Sequence, residues 1–197
     1  MMKLFDRWDT SEIKIDDEGL RKYINLDTRL VPRTAGRNTD IKFHKSNYHI
    51  VERLINKLMV TGHKGKKHKI SSGHNTGKIV KIYNLVENVF IILEKKTGKN
   101  PIGVFVKALE NAAPREEITT IEYGGARYPK AVECSPQRRI DIVLRYMVQG
   151  AYANTFNKKK TAKSALADEI LNAYQLNLQS NALSKKRELE RQADSSR

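Results

Sequence analysis

Capping signals followed by apolar residues at helical spacing constrain this chain more than any other feature of its sequence. Asn100-Pro101 and Ser135-Pro136 each place a capping side chain before a proline, an arrangement that starts α-helices. Apolar residues then recur three and four positions apart, and they do so again after Ser46 and after Thr161. This pattern predicts a mainly α protein, a bundle of about six helices that bury one face against one another.

The remaining predicted helices lie at the edges of this pattern. One is expected to begin near Thr76 and to end before Gly98, and another covers residues 182–197 and frays into a basic tail. A short helical pattern at residues 20–24 is followed by Pro32 and Gly36, which break any periodicity. We therefore interpret residues 1–43 as an N-terminal extension and residues 44–197 as one helical domain.

Residues 115–134 have a different pattern. β-Branched and aromatic residues precede and follow Gly124-Gly125, which predicts one two-stranded β-hairpin that projects from the helical body. Pro129 is compatible with such an arm because both strands are edges. A tyrosine at the tip could stack on a base, although packing across the strands is at least as good an interpretation. The predicted tip consists of Tyr123, Gly124, Gly125, Ala126, Arg127 and Tyr128.

The charge of the chain favours a polyanionic partner. The formal net charge is +15. Residues 1–20 have a net charge of −3, so the rest of the chain has a net charge of +18. Such a field attracts nucleic acid or an acidic membrane face. No apolar run is long enough for a membrane span, and a single cysteine, Cys134, excludes an internal disulfide. We therefore expect a soluble cytoplasmic protein.

The strongest local signal is a glycine-rich segment without acidic residues at residues 62–81. Its lysines can neutralise phosphates, its glycines allow close approach of the backbone, and a helix start near Thr76 would add backbone donors. A solvated run of charge is the alternative. The predicted RNA contacts here are Lys64, Lys66, Lys67, Lys69, Lys78 and Lys81.

Two more specific interpretations of this segment, a nucleotide-binding loop and a zinc site, are weak. Between Gly73 and Gly77 there are three residues where a nucleotide-binding phosphate loop has four, and Ile79 stands where Ser or Thr would hold magnesium. The spacing of its three histidines matches no standard zinc site. We therefore predict no metal and no cofactor.

Further basic clusters are spread over the rest of the chain. If the helices pack as an antiparallel bundle, several clusters share one side, which is typical of nucleic-acid binders. Residues 29–37 form a basic segment. It is interpreted equally well as an extended arm along a phosphate backbone or as a solvated loop. The clustered residues predicted to bind RNA are Arg138, Arg139, Lys158, Lys159, Lys160, Lys163, Lys185, Lys186 and Arg187.

Patterns of catalytic residues are not found. Glu116 and Glu117 are adjacent on a predicted strand and so point to opposite faces, and Cys134 has no histidine near it in sequence. The sequence therefore predicts a binding protein and not an enzyme.

Several local strings resemble one family, ribosomal protein seven of the small subunit in its archaeal and eukaryotic form. The likeness covers roughly residues 26–197. The strings are Lys57-Leu-Met-Val60 before the basic segment, Phe105-Val-Lys-Ala-Leu-Glu-Asn-Ala-Ala-Pro-Arg115, Gly124-Gly-Ala-Arg-Tyr-Pro129, Ser135-Pro-Gln-Arg-Arg139 and Lys185-Lys-Arg-Glu-Leu-Glu-Arg191.

This resemblance implies a structural constituent of the ribosome. It implies binding to the 3′ major domain of small-subunit ribosomal RNA, nucleation of head assembly, and a hairpin tip near exit-site tRNA and messenger RNA. It also implies contacts of the tail with neighbouring small-subunit proteins. The residues alone leave two alternatives open, a basic helical DNA-binding regulator and an RNA-processing enzyme.

Overall fold

The computed structural model describes residues 2–64, 67–68 and 73–197, with the backbone alone for Lys64, Lys67 and His68. These residues form seven α-helices, which confirms the mainly α class. The helices are α1 (Glu18–Arg21), α2 (Ile50–Leu58), α3 (Ile79–Thr97), α4 (Pro101–Ala112), α5 (Pro136–Thr155), α6 (Ala162–Tyr174) and α7 (Asn181–Asp194). The strands are β1 (His63–Lys64), β2 (Lys67–His68), β3 (Glu116–Tyr123) and β4 (Ala126–Glu133), and a 3₁₀ helix covers His44–Asn47.

Capping residues set the helix starts that were predicted from them. The Asn100 side chain accepts a hydrogen bond from the Ile102 N–H at 3.1 Å, and Pro101 is the first residue of α4. Thr161 accepts from the Ser164 N–H at the start of α6. α5 also begins at Pro136, as predicted, although Ser135 makes no capping hydrogen bond with its side chain. Proline at the first helical position is enough to fix this start.

The predicted start of α3 near Thr76 is wrong. Gly77 adopts the left-handed conformation, with φ +78°, and α3 begins only at Ile79. The N–H groups of Thr76, Lys78 and Ile79 donate to carbonyls of the preceding turn. These backbone donors are therefore already engaged and do not provide the anion site expected near Thr76.

α6 lies at the centre of the bundle and packs against α3, α4, α5 and α7. Ala165, Ala167 and Ala173 of this helix are fully buried, which lets neighbouring helices approach closely. Gly150 of α5 serves the same purpose. A Cβ built at this position would lie 2.7 Å from the Asn181 Cβ and 2.9 Å from the Glu169 carboxylate, so a side chain larger than hydrogen does not fit there.

Residues before α1 contribute aromatic side chains to the same core. The Trp8 ring lies 5.8 Å from Phe90 of α3, and Phe5 lies 4.6 Å from Tyr83, as measured between ring centroids. Leu4 and Trp8 are 1% and 4% exposed. The first residues are thus held in the hydrophobic core. The division of the chain into an extension (residues 1–43) and a helical domain (residues 44–197) stays a prediction.

The predicted hairpin is present as the antiparallel pair β3–β4, with Glu116 opposite Glu133 and Tyr123 opposite Ala126. Gly124 and Gly125 form the turn with φ of +58° and +80°, as a two-residue turn that follows the twist of the strands requires. The five residues of β3 from Thr119 are exposed, a length of about 17 Å. The base of the hairpin packs against α7.

A second antiparallel pair, β1–β2, was not predicted from the sequence. It lies within the basic segment, and His63 pairs with His68. The Gln149 side chain of α5 donates to the His63 carbonyl at 3.1 Å and so holds β1 beside α5.

Candidate nucleic-acid interface

The basic segment at residues 62–81 is described only in part. The side chains of Lys64, Lys66, Lys67 and Lys69 lie outside the described residues. Lys78 and Lys81 are exposed at the start of α3, where the Lys78 Nζ donates to the His74 carbonyl at 2.6 Å. Both line a cleft of about 480 Å³ together with Tyr152, so the described end of this segment lies beside the end of α5.

The lysines between α5 and α6 are exposed but not equivalent. The Lys160 Nζ lies 2.6 Å from the Asp168 carboxylate, which also binds Lys96 at 2.6 Å. Lys158, Lys159 and Lys163 make no ion pair within the residues that the structure describes. Their charges remain available to a partner.

Arg138 and Arg139 have different surroundings although they are adjacent in sequence. The Arg138 side chain is 54% exposed and pairs with Glu117 at the base of the hairpin, Nη2 to Oε2 2.7 Å. The Arg139 side chain is only 11% exposed, and its Nη2 lies 2.7 Å from the Asp17 Oδ2. Its Nε also donates to the Pro114 carbonyl at 3.1 Å.

The Arg139–Asp17 pair changes the titration of the carboxylate. Burial by itself works to raise the pKa of Asp17. The hydrogen bond and positive charge of Arg139 outweigh that effect, and the pKa lies below its ordinary value. The charge of Arg139 is therefore neutralised inside the chain.

The basic residues of α7 also have contacts within the chain. The Lys186 Nζ donates to the Asn111 carbonyl at 2.8 Å, and burial lowers the pKa of Lys186. Lys185 pairs with Glu188 along the helix at 2.5 Å. Arg187 is exposed and makes no ion pair with a described residue.

Sequence reasoning missed a basic cleft between α2 and α5. Its volume is about 470 Å³, and Arg53 and Lys57 of α2 face Arg145 of α5 across it. Asp141 lies between them, 3.2 Å from the Arg53 Nη2 and 3.6 Å from the Lys45 Nζ. Four cations thus surround a single carboxylate among the described lining residues.

The electrostatics of Lys57 reflect this excess of positive charge. Burial lowers the pKa of Lys57. The charges of Arg145, Lys45 and Arg53 lower it further, although Asp141 opposes them. An anion placed in the cleft would relieve this repulsion, since an opposite charge favours the charged form of lysine.

A second, wider cleft continues the first toward the start of α5. Its volume is about 820 Å³, and it is lined by Lys22, Lys42, Phe43 and Arg138 as well as by residues of the first cleft. Lys45 and Arg145 belong to both clefts. We call the two together the α5 groove.

Helical spacing was the signal that could have revealed the α5 groove. Arg53 and Lys57 are four residues apart on α2, and Asp141 and Arg145 are four apart on α5, so each pair lies on one helix face. The basic clusters predicted from the sequence were runs of charges that are consecutive in the chain. None of these groove residues belongs to such a run.

The hairpin tip presents an exposed apolar face. Tyr123 is 82% exposed, and Tyr128, which lies opposite Ile121 in the register, is 58% exposed. These three side chains share one face because they occupy alternate positions. Arg127 lies on the other face beside Glu122, 3.5 Å from Nε to Oε2.

Cys134 has the surroundings of a structural residue. Its side chain is buried, which raises the pKa of the thiol to about 11, and the nearby charge of Glu117 acts in the same direction. Such a thiol stays protonated and unreactive at neutral pH. The described residues contain no group of His, Cys, Asp and Glu that could hold a metal ion, and no described helix has the length and apolar character needed to cross a membrane.

Comparison with known proteins extends the likeness over nearly the whole chain. The family model described as Ribosomal protein S7p/S5e matches residues 20–197. The chain is 53% identical over 196 residues to the small ribosomal subunit protein uS7 of Nanoarchaeum equitans, covering 100% of this chain and 99% of that protein. It is 46% identical over 193 residues to uS7 of Methanosphaera stadtmanae, covering 98% and 97%.

A third relative, uS7 of Methanothermobacter thermautotrophicus, is 45% identical over 195 residues, with 99% of each chain covered. The matched region contains the α5 groove, the hairpin and α7. Because both the family model and these identities extend through the basic surface, the chain belongs to the S7p/S5e family of ribosomal proteins.

Proposed function

We propose that the protein is a structural constituent of the small ribosomal subunit that binds the 3′ major domain of its ribosomal RNA. In this role it nucleates assembly of the subunit head and holds β3–β4 near exit-site tRNA and messenger RNA. The names of the relatives, small ribosomal subunit protein uS7, support the subunit. Neighbouring small-subunit proteins are the proposed partners of α7.

The observation that carries this proposal is the α5 groove. Arg138, Arg145 and Tyr152 are seven residues apart on α5 and so lie on one face of a helix about 30 Å long. Arg138 and Arg145 are about 10 Å apart along this face, and Lys42, Lys45 and Lys57 line the same groove. Cations spread in this way match an extended polyanion better than a small anion. A sugar-phosphate backbone laid along α5 would be neutralised at successive points, with release of its counterions.

Other predicted contacts extend this surface. Lys78 and Lys81 lie beside the far end of α5, and Lys158, Lys159 and Lys163 follow it in the chain. We propose that these lysines contact phosphates, together with Arg187 and the lysines of residues 64–69. For Lys160, Lys185 and Lys186, binding would first require loss of a contact inside the chain. Arg139 is best assigned to holding α5 in place.

The test is competition binding to a transcript of the 3′ major domain, against tRNA and duplex DNA, across a salt series. We expect a preference for the transcript that survives moderate salt. Equal binding to all three that vanishes as salt rises would contradict specific recognition. A preference for duplex DNA would favour the DNA-binding regulator instead.

A pair of double variants tests whether the α5 groove is the surface used. Lys57→Gln/Arg145→Gln removes two groove cations and is expected to reduce the slope of log K against log salt by about one unit per cation lost. The matched control, Lys14→Gln/Lys95→Gln, removes the same charge at exposed positions outside the groove. Equal slopes for the two double variants would show that only total charge matters.

A further inference from the structure

Phe43 has an unusual backbone conformation and an unusual position. It adopts φ +58°, in the left-handed region, which costs free energy for a bulky side chain. Its side chain is 76% exposed. Because Phe43 is exposed, burial of its ring does not compensate for this unfavourable backbone conformation.

The other phenylalanines differ from Phe43. Phe5, Phe90 and Phe105 are 7% exposed or less. Phe156 is 47% exposed, but its ring lies 5.7 Å from that of Tyr152. Phe43 has no aromatic neighbour among the described residues. With 76% of its surface exposed, most of Phe43 is open to a ligand.

The surroundings of Phe43 indicate what that ligand is. The ring lines the wide end of the α5 groove, between Lys42 and Lys45 in sequence and opposite Arg138 and Arg145. An apolar ring among cations, in a cleft of about 820 Å³, fits a flat apolar group that is covalently joined to anions. A nucleobase attached to its phosphate has both properties.

We propose that Phe43 stacks on an unpaired nucleobase of the bound RNA, while Lys42 and Lys45 contact the phosphates beside that base. This inference rests on the proposed function and adds the class of RNA element. Bases inside a duplex have both faces covered by neighbours, so a surface ring reaches only a base in a loop, a bulge or an end. The groove therefore recognises a strand at a point where it leaves the duplex.

The first experiment uses the full chain and the 3′ major domain transcript. Phe43→Leu keeps an apolar side chain but removes the ring, and we expect about ten-fold weaker binding. The salt slope should be unchanged because no phosphate contact is removed. Phe43→Tyr should bind as the wild type does. The control Phe156→Leu removes an exposed ring that already packs on Tyr152, and its affinity should change by less than about two-fold.

A second pair of variants separates stacking from a structural role. Phe43→Trp adds an indole whose emission should be quenched on binding, while Trp8, the one natural tryptophan and 4% exposed, stays constant. Phe43→Gly accepts the positive φ without strain, so its melting temperature should not fall although its affinity does. A residue needed only for structure would lose stability and affinity together.

The outcomes distinguish this inference from the proposed function. If the wild type binds the transcript, Phe43→Leu binds equally well and the emission of the Phe43→Trp variant is not quenched, the stacking role is overturned and the RNA-binding function stands. If the wild type does not prefer the transcript, both proposals are overturned together.

Discussion

Two clusters of basic residues, one at Asp168 of α6 and one in the narrow cleft of the α5 groove, differ in how many cations share one carboxylate. Beside α6, Lys96 and Lys160 share the carboxylate of Asp168, each at 2.6 Å. In the narrow cleft of the groove, four cations surround Asp141 alone. Basic residues therefore indicate an interface where they outnumber the carboxylates that the fold places beside them.

The largest expected effect concerns packing near α6, the helix whose Asp168 pairs with Lys96 and Lys160. Gly150→Ala would place a Cβ 2.7 Å from Asn181, and we expect a loss of about 2–3 kcal/mol in the free energy of unfolding. Gly103→Ala is the matched control, since its Cβ meets only Ile13 at 3.9 Å and the helix gains up to about 1 kcal/mol. Urea denaturation measures both, and equal stabilities would contradict the close approach.

A smaller effect should separate Arg139 from Arg138. Arg139→Ala removes the donor to the Asp17 Oδ2 and to the Pro114 carbonyl, so we expect a loss of about 2 kcal/mol in stability. Arg138 is half exposed, and its loss should cost under about 1 kcal/mol. Transcript binding should fall more for Arg138→Ala when both variants are measured well below their melting temperatures. The reverse order would place Arg139 in the interface.

A third difference lies in the response to pH. Burial raises the pKa of Glu169, so its contribution to stability is present below the ordinary value of 4.5 and is lost as pH rises through the raised value. The lowered pKa of Asp17 acts in the opposite sense. Its contribution is present above 3.8 and is lost as pH falls through the lowered value.

Two amide variants test this difference. Glu169→Gln keeps an oxygen that accepts from Ser180 and Ala182, but it removes the loss of stability expected as pH rises. Asp17→Asn removes the loss of stability expected as pH falls. Urea midpoints measured on both sides of each ordinary pKa should show each change separately. A pH profile that neither variant alters would contradict both assignments.

The smallest effect is expected at the hairpin tip. Tyr123 is 82% exposed, so Tyr123→Ala should change stability by less than about 0.5 kcal/mol. Its affinity for the isolated 3′ domain transcript should also hardly change, because the tip is assigned to tRNA and messenger RNA. Filter binding of the transcript checks this. A large loss of affinity would indicate that the tip and the groove contact the same RNA.

Local signals predicted much of the fold. Asn100-Pro101 fixed the start of α4, and Gly124-Gly125 located the turn of the hairpin, because both depend on backbone preferences of a few residues. The start of α3 was missed because Gly77 adopts a left-handed conformation that sequence alone does not reveal. The packing of Leu4 and Trp8 in the core was missed because these apolar residues are not repeated at helical or strand spacing, so the sequence does not mark them as buried.

The candidate interface was less predictable than the fold. A run such as Lys158-Lys159-Lys160 is visible in the sequence, whereas Lys57 and Arg145 meet only after α2 packs against α5. Adjacent helical residues also differ in direction by about 100°, which is why Arg138 and Arg139 have unrelated surroundings. Which cations stay unpaired is a property of tertiary structure.

The contact between Asp17 and Arg139 also sets an order of events during synthesis. These residues are 122 positions apart in the chain. At about 5–20 residues per second, Asp17 is made roughly 6–24 seconds before its partner. Throughout that interval the segment before α1 lacks the arginine that anchors it beside α5. Phe5 and Trp8 can meet Tyr83 and Phe90 earlier, so the first residues acquire their core contacts before Asp17 acquires its anchor.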